Sequence, residues 1–294
     1  MLLTIQNEAL SLRVDTLGAQ MMSLQGNDGC EYLWQGDPAY WADRAPNLFP
    51  FIGRLTQNSY KLQGKVYPMG IHGFAASAEF TVATQEADAL TLLLEDSPEI
   101  AASYPLAFRL WITYRLAGAS LQITFRVENP NDQALPFGIG GHPGFRVPLE
   151  DGEAFEDYCL EFSTPCQPDR VGFTPAVYLS GKDEAYPLEE DTMLNLSHSL
   201  FDDDAIILKN MAREVTLRSR KSGRSITVTY PQMPYLGIWH WPHTDAPYVC
   251  IEPWSSLPAR QDIVEEFTCK SDLIQLPPKE IYVNDWSITI HAPV

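Results

Sequence analysis

Basic residues are scarce in this sequence. Its 294 residues include 20 lysines and arginines against 38 aspartates and glutamates, which gives a formal net charge of -18 at pH 7. Nucleic acids and anionic membrane surfaces attract proteins through clustered basic side chains. The charge balance therefore argues against both partners. It also fits poorly with a strongly anionic substrate, unless a local basic pocket is present.

Cysteine and long apolar runs are also scarce. No apolar run approaches the roughly 18 residues of a membrane span, and the N-terminal residues lack the charged and apolar regions of a signal peptide. An odd number of widely spaced cysteines without a C-x-x-C pair predicts neither a disulfide framework nor a structural zinc site. These features predict a soluble cytoplasmic protein. The cysteines are Cys30, Cys159, Cys166, Cys250 and Cys269.

Helical periodicity is rare, and the dominant hydrophobic period is two. Apolar and polar residues alternate through "FRLWITYRL" and "LQITFRVE", and the intervening "GAS" predicts an antiparallel hairpin. Many such strands separated by turns predict an all-β fold, a large antiparallel β-sandwich, with residues 1–294 forming one domain. Residues 97–104 predict one or two helical turns, and residues 148–200 predict long loops or short edge strands. Further strands are predicted at 9–14, 79–83, 90–94, 225–230, 247–252 and 281–290.

Two of the six histidines have glycine-rich surroundings. His72 lies in "MGIHGFA" and His142 in "GIGGHPGF", where Gly140, Gly141 and Gly144 surround it. Glycine weakens a strand and often marks the close approach of a ligand or of another backbone. We expect the glycines around His142 to let a ligand approach it. A histidine bonded to backbone in a tight turn is the alternative for each motif.

A carboxylate lies in the apolar run "YVCIEPW". Strand alternation places Val249 and Ile251 on one face and Cys250 and Glu252 on the other. A buried glutamate needs a partner, so Glu252 is either a salt-bridged residue at a strand end or a carboxylate directed into a cleft.

Other polar and aromatic candidates lie near these motifs. Arg54 follows an apolar run, where an arginine usually pairs with a carboxylate. Trp239 belongs to a group of tryptophans that should mostly lie in the core, but its apolar ring face is also suited to a sugar. A metal site formed by His72, His142 and Glu252 is conceivable, but two ligands close together on one strand are lacking, so we predict no metal. The acidic triplet at a predicted strand start is typical of a solvated turn and comprises Asp202, Asp203 and Asp204.

Five motifs together resemble a known family. In order, "NLFPFIGRL", "GIHGFA", "GGHPGF", "LFDDDAIIL" and "CIEPW" resemble those of the aldose 1-epimerase (galactose mutarotase) family, in its shorter bacterial branch. They span residues 47 to 254. The resemblance implies a large antiparallel β-sandwich and a cofactor-independent isomerase that interconverts the anomers of an aldohexose.

The resemblance also implies roles for individual residues. Glu252 matches the general base, and His142 matches the general acid. His72 matches a second active-site histidine, which hydrogen-bonds near the ring oxygen. Arg54 matches a substrate-binding arginine, and Asp204 best matches a hydroxyl-binding aspartate, with Asp202 and Asp203 as alternatives. We add Trp239 as a substrate-binding residue.

The residue types suit the reaction. Mutarotation removes a proton from the anomeric hydroxyl and delivers one to the ring oxygen, so no cofactor is needed. With ordinary pKa values near 4.3 and 6.5, a glutamate is ionised and a histidine titrates near neutrality.

Departures from the motifs leave the sugar open. Gly141 stands where the mutarotases usually carry asparagine, and Phe74 stands in place of a glycine. The alternatives are a non-catalytic carbohydrate-binding protein and a hexose-6-phosphate 1-epimerase. A phosphate site would need a second basic residue, for which Arg109, Arg146 and Arg260 are the candidates. The sequence leaves the oligomeric state open.

Overall fold

The computed structural model describes residues 1–292, which are folded almost entirely as β-strands. The strands are β1 (Leu2–Gln6), β2 (Leu10–Asp15), β3 (Gln20–Gly26), β4 (Asn47–Leu48), β5 (Ser59–Leu62), β6 (Lys65–Pro68), β7 (Thr81–Gln85), β8 (Ala89–Glu95), β9 (Arg109–Ala117), β10 (Ser120–Glu128), β11 (Leu135–Phe137), β12 (Gly140–Gly141), β13 (Gly144–Arg146), β14 (Tyr158–Phe162), β15 (Asp169–Arg170), β16 (Glu184–Ala185), β17 (Met193–Asn195), β18 (Ile206–Lys209), β19 (Glu214–Ser219), β20 (Ser225–Thr229), β21 (Tyr235–Trp239), β22 (Tyr248–Trp254), β23 (Ile274–Leu276) and β24 (Ile281–His291).

Helical structure is limited to single turns. The α-helical turn α1 (Pro98–Ala101) lies in the predicted segment 97–104, and the Ser97 hydroxyl oxygen accepts a hydrogen bond from the Ile100 N–H at 3.3 Å. This is the N-terminal cap that serine favours. No helix within residues 1–292 is long and apolar enough to cross a membrane. The 3₁₀ turns are Thr56–Asn58, Ala75–Ser77, Phe155–Asp157 and His198–Phe201.

Two large antiparallel sheets dominate the fold. The nine-stranded sheet has the order β17-β14-β19-β20-β24-β10-β9-β8-β7, and the eight-stranded sheet has the order β16-β15-β18-β21-β22-β12-β4, with β13 also pairing with β22. Smaller sheets contain β1-β2-β3, β11-β23 and β5-β6. Both large sheets contribute to one apolar core, which includes Ile112 and Phe125 from one sheet and Ile238 and Ile251 from the other. The predicted antiparallel β-sandwich is confirmed. The assignment of one domain stays a prediction.

The hairpin of β9 and β10 shows why alternation predicted the strands well. Ala117 pairs with Ser120 across the turn, and Ile112 pairs with Phe125. In β10 the buried residues alternate with partly exposed or exposed ones, as a sheet with one wet face requires.

Residues 148–200 contain more sheet than we expected. Strand β14 lies between β17 and β19 in the nine-stranded sheet, so it is not an edge strand. Its sequence, "YCLEF", has four buried residues and one partly exposed residue, Glu161, so it carries too little alternation for periodicity to reveal it.

Candidate active site

A cavity of about 380 Å³ lies over the outer face of the eight-stranded sheet. In β22, Val249 and Ile251 belong to the sandwich core, whereas Glu252 and Trp254 line the cavity on the opposite face. The alternation of "YVCIEPW" therefore separates the core from the site, as predicted. The cavity is also lined by Arg54, His72, His142, Asp204 and Trp239, so the structure brings the six predicted site residues together.

His142 and Glu252 form a buried pair in this cavity. His142 is 9% exposed and Glu252 is 1% exposed, and the His142 Nε2 atom lies 3.2 Å from the Glu252 Oε2 atom. The contact is close, but its angles are not those of a hydrogen bond. Within residues 1–292, both His142 Nδ1 and Glu252 Oε2 lack a hydrogen-bond partner. Buried polar atoms usually have partners, so these atoms are suited to meet a polar ligand.

Burial shifts the pKa values of Glu252 and His142 in opposite directions. It raises the pKa of the Glu252 carboxyl well above its ordinary value, and the nearby Asp204 carboxylate acts in the same direction. Burial lowers the pKa of His142 well below its ordinary value, and the neighbouring His72 adds to this effect. Both shifts favour the neutral forms. Ordinary pKa values, which we assumed from the sequence, do not describe this site.

His72 is fixed by a reciprocal contact with Gly53. The His72 N–H donates to the Gly53 carbonyl at 3.0 Å, and the Gly53 N–H donates to His72 Nδ1 at 3.1 Å. A neutral His72 that accepts at Nδ1 carries its proton on Nε2. Burial lowers the pKa of His72 to about 4, and the charge of Arg54 acts in the same direction. His72 is thus a neutral hydrogen-bond donor near pH 7.

The acidic triplet divides between two cavities. Asp204 lines the cavity that contains Glu252, and its Oδ1 atom accepts a hydrogen bond from the Ala205 N–H at 2.7 Å. Asp202 and Asp203 line an adjoining cavity instead, and Asp202 Oδ1 lies 3.2 Å from His243 Nδ1. Geometry therefore selects Asp204 as the member of the triplet that can reach a ligand beside Glu252.

The glycines around His142 do not make room for a ligand. A Cβ atom on Gly140 would lie 2.9 Å from Trp254 Cδ1, and one on Gly141 would lie 2.7 Å from Trp286 Cζ2. A Cβ atom on Gly144 would lie 3.0 Å from a ring carbon of Trp41. Our expectation that this space admits a sugar is wrong, because protein side chains and backbone fill it. These glycines instead allow tryptophan rings to pack around the segment that carries His142, which connects β12 and β13.

Trp41 is a cavity residue that the sequence analysis missed. Its ring centroid lies 5.0 Å from that of His142, with the ring planes 34° apart, and 5.6 Å from that of Trp239. Trp41 lies outside the named strands, so no strand pattern connects it to His142. In the sequence, Gly144 was an indirect sign of this packing, because a glycine there leaves space for the ring of Trp41.

One of the arginines considered lines the cavity. Arg54 is exposed there, in the place that the predicted substrate-binding role requires. The three further arginines considered for a phosphate do not line the cavity. Arg109 contacts Glu95 at 2.9 Å, Arg260 contacts Glu265 at 2.8 Å, and Arg146 donates to the Pro148 carbonyl.

Cys250 lies close enough to His142 and Glu252 for the three side chains to have the spacing of metal ligands. Ligand atoms of His142, Cys250 and Glu252 lie within 4.8 Å of one another, so Cys250 takes the place that we had considered for His72. Burial raises the pKa of the Cys250 thiol well above its ordinary value, and Glu252 acts in the same direction. A protonated thiol is a poor metal ligand, so the donor set does not favour a metal. The absence of a metal stays a prediction.

Residues 1–287 match the family described as aldose 1-epimerase. The chain belongs to the aldose 1-epimerase family. Epimerases are isomerases, so this membership places the chain in an enzyme class at the level of the family.

Relatives of known sequence and structure agree with this membership. The chain is 35% identical to the chromosomal protein LacX of Lactococcus lactis over 299 residues, which cover 99% of each chain. A galactose mutarotase related enzyme from Lactobacillus acidophilus has a TM-score of 0.94 and 33% identity, with 100% of this chain and 98% of that chain covered. A galactose mutarotase-like protein from Lactobacillus casei has a TM-score of 0.92 and 32% identity, with 99% and 100% covered.

Proposed function

We propose that the protein is an aldose 1-epimerase, which interconverts the α and β anomers of a free aldose by opening and closing the sugar ring. Glu252 is the base, His142 is the acid, and His72 donates a hydrogen bond near the ring oxygen. Arg54, Asp204 and Trp239 bind the sugar, and no cofactor takes part. The observation that carries the proposal is the buried pair of His142 and Glu252, 3.2 Å apart, with unpartnered polar atoms in a cavity lined by tryptophans.

Ring opening needs one proton removed and one supplied. Glu252 takes the proton of the anomeric hydroxyl, and His142 gives a proton to the ring oxygen as the C1–O5 bond breaks. The C1–C2 bond then rotates in the open-chain aldehyde. Ring closure reverses both transfers and produces either anomer. The reaction leaves both side chains as they began, so no oxidant, reductant or transferred group is required.

The buried pair suits this exchange because its two working states contain the same number of protons. The cyclic sugar requires a charged Glu252 and a charged His142, whereas the open-chain form leaves both neutral. Burial favours the neutral state. Hydrogen bonds from the sugar hydroxyls to the carboxylate favour the charged state. A sugar that offers such hydrogen bonds therefore brings the two states closer in free energy.

His72 contributes a donor that does not need to titrate. With Nδ1 held by the Gly53 N–H, its Nε2–H is free to point towards a ligand. Because its pKa is lowered to about 4, it remains neutral at pH 7. A fixed donor near the ring oxygen stabilises the charge that develops as the C1–O5 bond breaks.

Polarimetry tests the proposal. Freshly dissolved α-D-glucose and α-D-galactose are followed with and without the protein, and the spontaneous rate is subtracted. We expect faster relaxation to the same endpoint. In Glu252→Gln we expect a loss of about 10²- to 10⁴-fold in kcat, the usual contribution of a general base. Sugar binding by that variant, measured by calorimetry, should persist.

Other outcomes identify the alternatives. Binding of glucose or galactose without any acceleration by the unmodified protein would contradict the proposal and indicate a carbohydrate-binding protein. Acceleration confined to α-D-glucose 6-phosphate would indicate a hexose-6-phosphate 1-epimerase.

A further inference from the structure

Trp254 carries a buried polar group that has no part in the proposed reaction. Its side chain lines the cavity that contains Glu252, but it is only 4% exposed. Within residues 1–292, its indole Nε1 atom has no hydrogen-bond partner. A donor that is buried without a partner costs free energy and is uncommon in folded proteins. An unpartnered N–H in the candidate active site therefore requires an explanation.

Two glycines on the neighbouring strands fix the orientation of the indole ring. A Cβ atom on Gly140 in β12 would lie 2.9 Å from Trp254 Cδ1, and one on Gly237 in β21 would lie 3.2 Å from Trp254 Cζ2. Nε1 lies between these two atoms along the edge of the ring, so the edge that carries the N–H rests on the sheet. The N–H therefore faces protein groups and not the open side of the cavity.

The carboxyl group of Glu252 lies beside the same edge of the ring. Glu252 and Trp254 are two residues apart in β22, so they share one face of the sheet. The Cβ atom on Gly237 that would approach Trp254 Cζ2 would also lie 3.4 Å from the carboxyl carbon of Glu252. Within residues 1–292, Glu252 Oε2 is unpartnered as well. An unpartnered donor and an unpartnered acceptor thus belong to neighbouring side chains.

Trp254 opposes the effect of burial on Glu252. Burial and the Asp204 carboxylate raise the pKa of Glu252, whereas the Trp254 N–H lowers this pKa as a hydrogen-bond donor. The N–H is therefore close enough to stabilise the charged carboxylate, although its geometry is not that of a complete hydrogen bond. A small movement of either side chain would complete the bond.

We propose that Trp254 is the positioning residue of the base, because its indole N–H donates to the charged Glu252 carboxylate and holds it towards the anomeric hydroxyl. The inference rests on the proposed function. The cyclic sugar requires the charged carboxylate, which burial disfavours. A hydrogen bond to a charged group is roughly twice as strong as one between neutral groups. Trp254 therefore stabilises the charged state of Glu252 more than the neutral state.

Trp254→Phe removes the N–H and keeps an apolar ring. Polarimetry of α-D-glucose and α-D-galactose at several pH values gives kcat, KM and the pH profile of kcat/KM. We expect kcat to fall by about tenfold and KM to stay within about threefold. The alkaline limb, where the pair of His142 and Glu252 loses its last proton, should rise by about one pH unit because the carboxylate has lost a donor. The acid limb should stay in place, because Glu252 is neutral on both sides of it.

Two further variants separate the N–H from the bulk of the ring. Trp286→Phe is the matched control, because Trp286 is 3% exposed and its Nε1 is also unpartnered within residues 1–292. Trp286 belongs to β24 in the nine-stranded sheet, so its variant should keep the alkaline limb of the unmodified protein. Benzothienylalanine at position 254 has sulfur in place of the N–H and nearly the same shape as tryptophan. It should raise the alkaline limb as Trp254→Phe does, even if the smaller phenyl ring impairs folding.

Two results overturn the inference while the proposed function stands. An alkaline limb that stays in place or falls would mean that Trp254 only packs in the site. A higher KM with unchanged kcat would mean that the N–H binds the sugar.

If the unmodified protein turns over no sugar, the proposed function fails, and a titration of Glu252 decides on Trp254. NMR of isotopically labelled glutamate carboxyls follows this titration, and the signal of Glu252 is identified by its absence from Glu252→Gln. Titration at a higher pH in Trp254→Phe supports the contact between the N–H and the carboxylate. Titration at the same or a lower pH overturns it.

Discussion

Gly237 lies directly opposite Glu252 in the pairing of β21 and β22, and the Glu252 side chain occupies the space beside it. A Cβ atom on residue 237 would lie 3.2 Å from Glu252 Cβ and 3.2 Å from Trp254 Cζ2. Both distances are shorter than the roughly 3.5–4.0 Å of an ordinary carbon–carbon contact. The missing side chain on β21 therefore determines where the carboxylate on β22 can lie.

Gly237→Ala should consequently displace Glu252 by a few tenths of an ångström. We expect kcat to fall by about 10- to 100-fold, since small misplacements of a reacting group are costly. Gly70→Ala is the control, because its added Cβ meets no atom within 4 Å. Polarimetry on both variants measures the effect. An active Gly237→Ala enzyme with unchanged kcat would show that the carboxylate tolerates the displacement.

The pH profile of kcat/KM should report the buried pair as a unit. On the acid side, activity is lost when the pair gains a second proton, and burial places this limb below the ordinary histidine value of 6.5. On the alkaline side, the pair loses its last proton, and burial places this limb above the ordinary pKa of a glutamate. The Asp204 carboxylate raises the alkaline limb further. In Asp204→Asn the alkaline limb should therefore move to lower pH.

A control separates this local effect from a change in total charge. Asp88→Asn removes the same formal charge at the turn between β7 and β8, far along the other sheet. Its profile should match that of the unmodified protein. Equal movement of the limb in both variants would mean that net charge, and not the contact with Glu252, sets the pKa.

Burial of Glu252 should also lower the stability of the fold at neutral pH. Its pKa is raised on folding, so the folded state holds a proton that the unfolded state releases above about pH 4.5. Stability is therefore lost as the pH rises towards the pKa of the folded state, by at most about 1.4 kcal/mol per pH unit. Glu252→Gln carries no such charge. Its Tm should exceed that of the unmodified protein, and the difference should grow between pH 5 and pH 8.

Thermal unfolding of the two proteins at several pH values measures this difference. A constant difference in Tm across that range would contradict the raised pKa. A lower Tm for Glu252→Gln at every pH would mean that the carboxylate makes stabilising contacts that outweigh its desolvation.

Alternation along single strands predicted the sheets and the faces of β22 correctly, because a strand's period is a local property of the chain. The side of the sheet that carries Glu252 followed directly from Val249 and Ile251. The surroundings of Glu252 could not be predicted in this way. Gly237 and Glu252 are neighbours only through pairing between strands, and their contact depends on register.

The protonation states of His142 and Glu252 could not be predicted from the sequence either. Histidine and glutamate have ordinary pKa values in isolation. Burial in the folded protein shifts both pKa values, and the proximity of Asp204 to Glu252 and of His72 to His142 adds to the shifts. The purpose of the glycines was misjudged for a similar reason. Gly141 and Gly144 fit against Trp286 and Trp41, which are distant in sequence.

Trp41 provides a last test of how the site is held together. Its ring packs on His142 with centroids 5.0 Å apart and lines the same cavity. Trp41→Ala removes the surface that fixes the imidazole, and we expect kcat to fall by about 10- to 100-fold. Trp41→Phe keeps an aromatic face and should recover most of this loss. Trp111→Ala is the control, because Trp111 packs against Arg126 on the nine-stranded sheet. If Trp41→Ala raises KM and leaves kcat unchanged, Trp41 contacts the sugar without positioning His142.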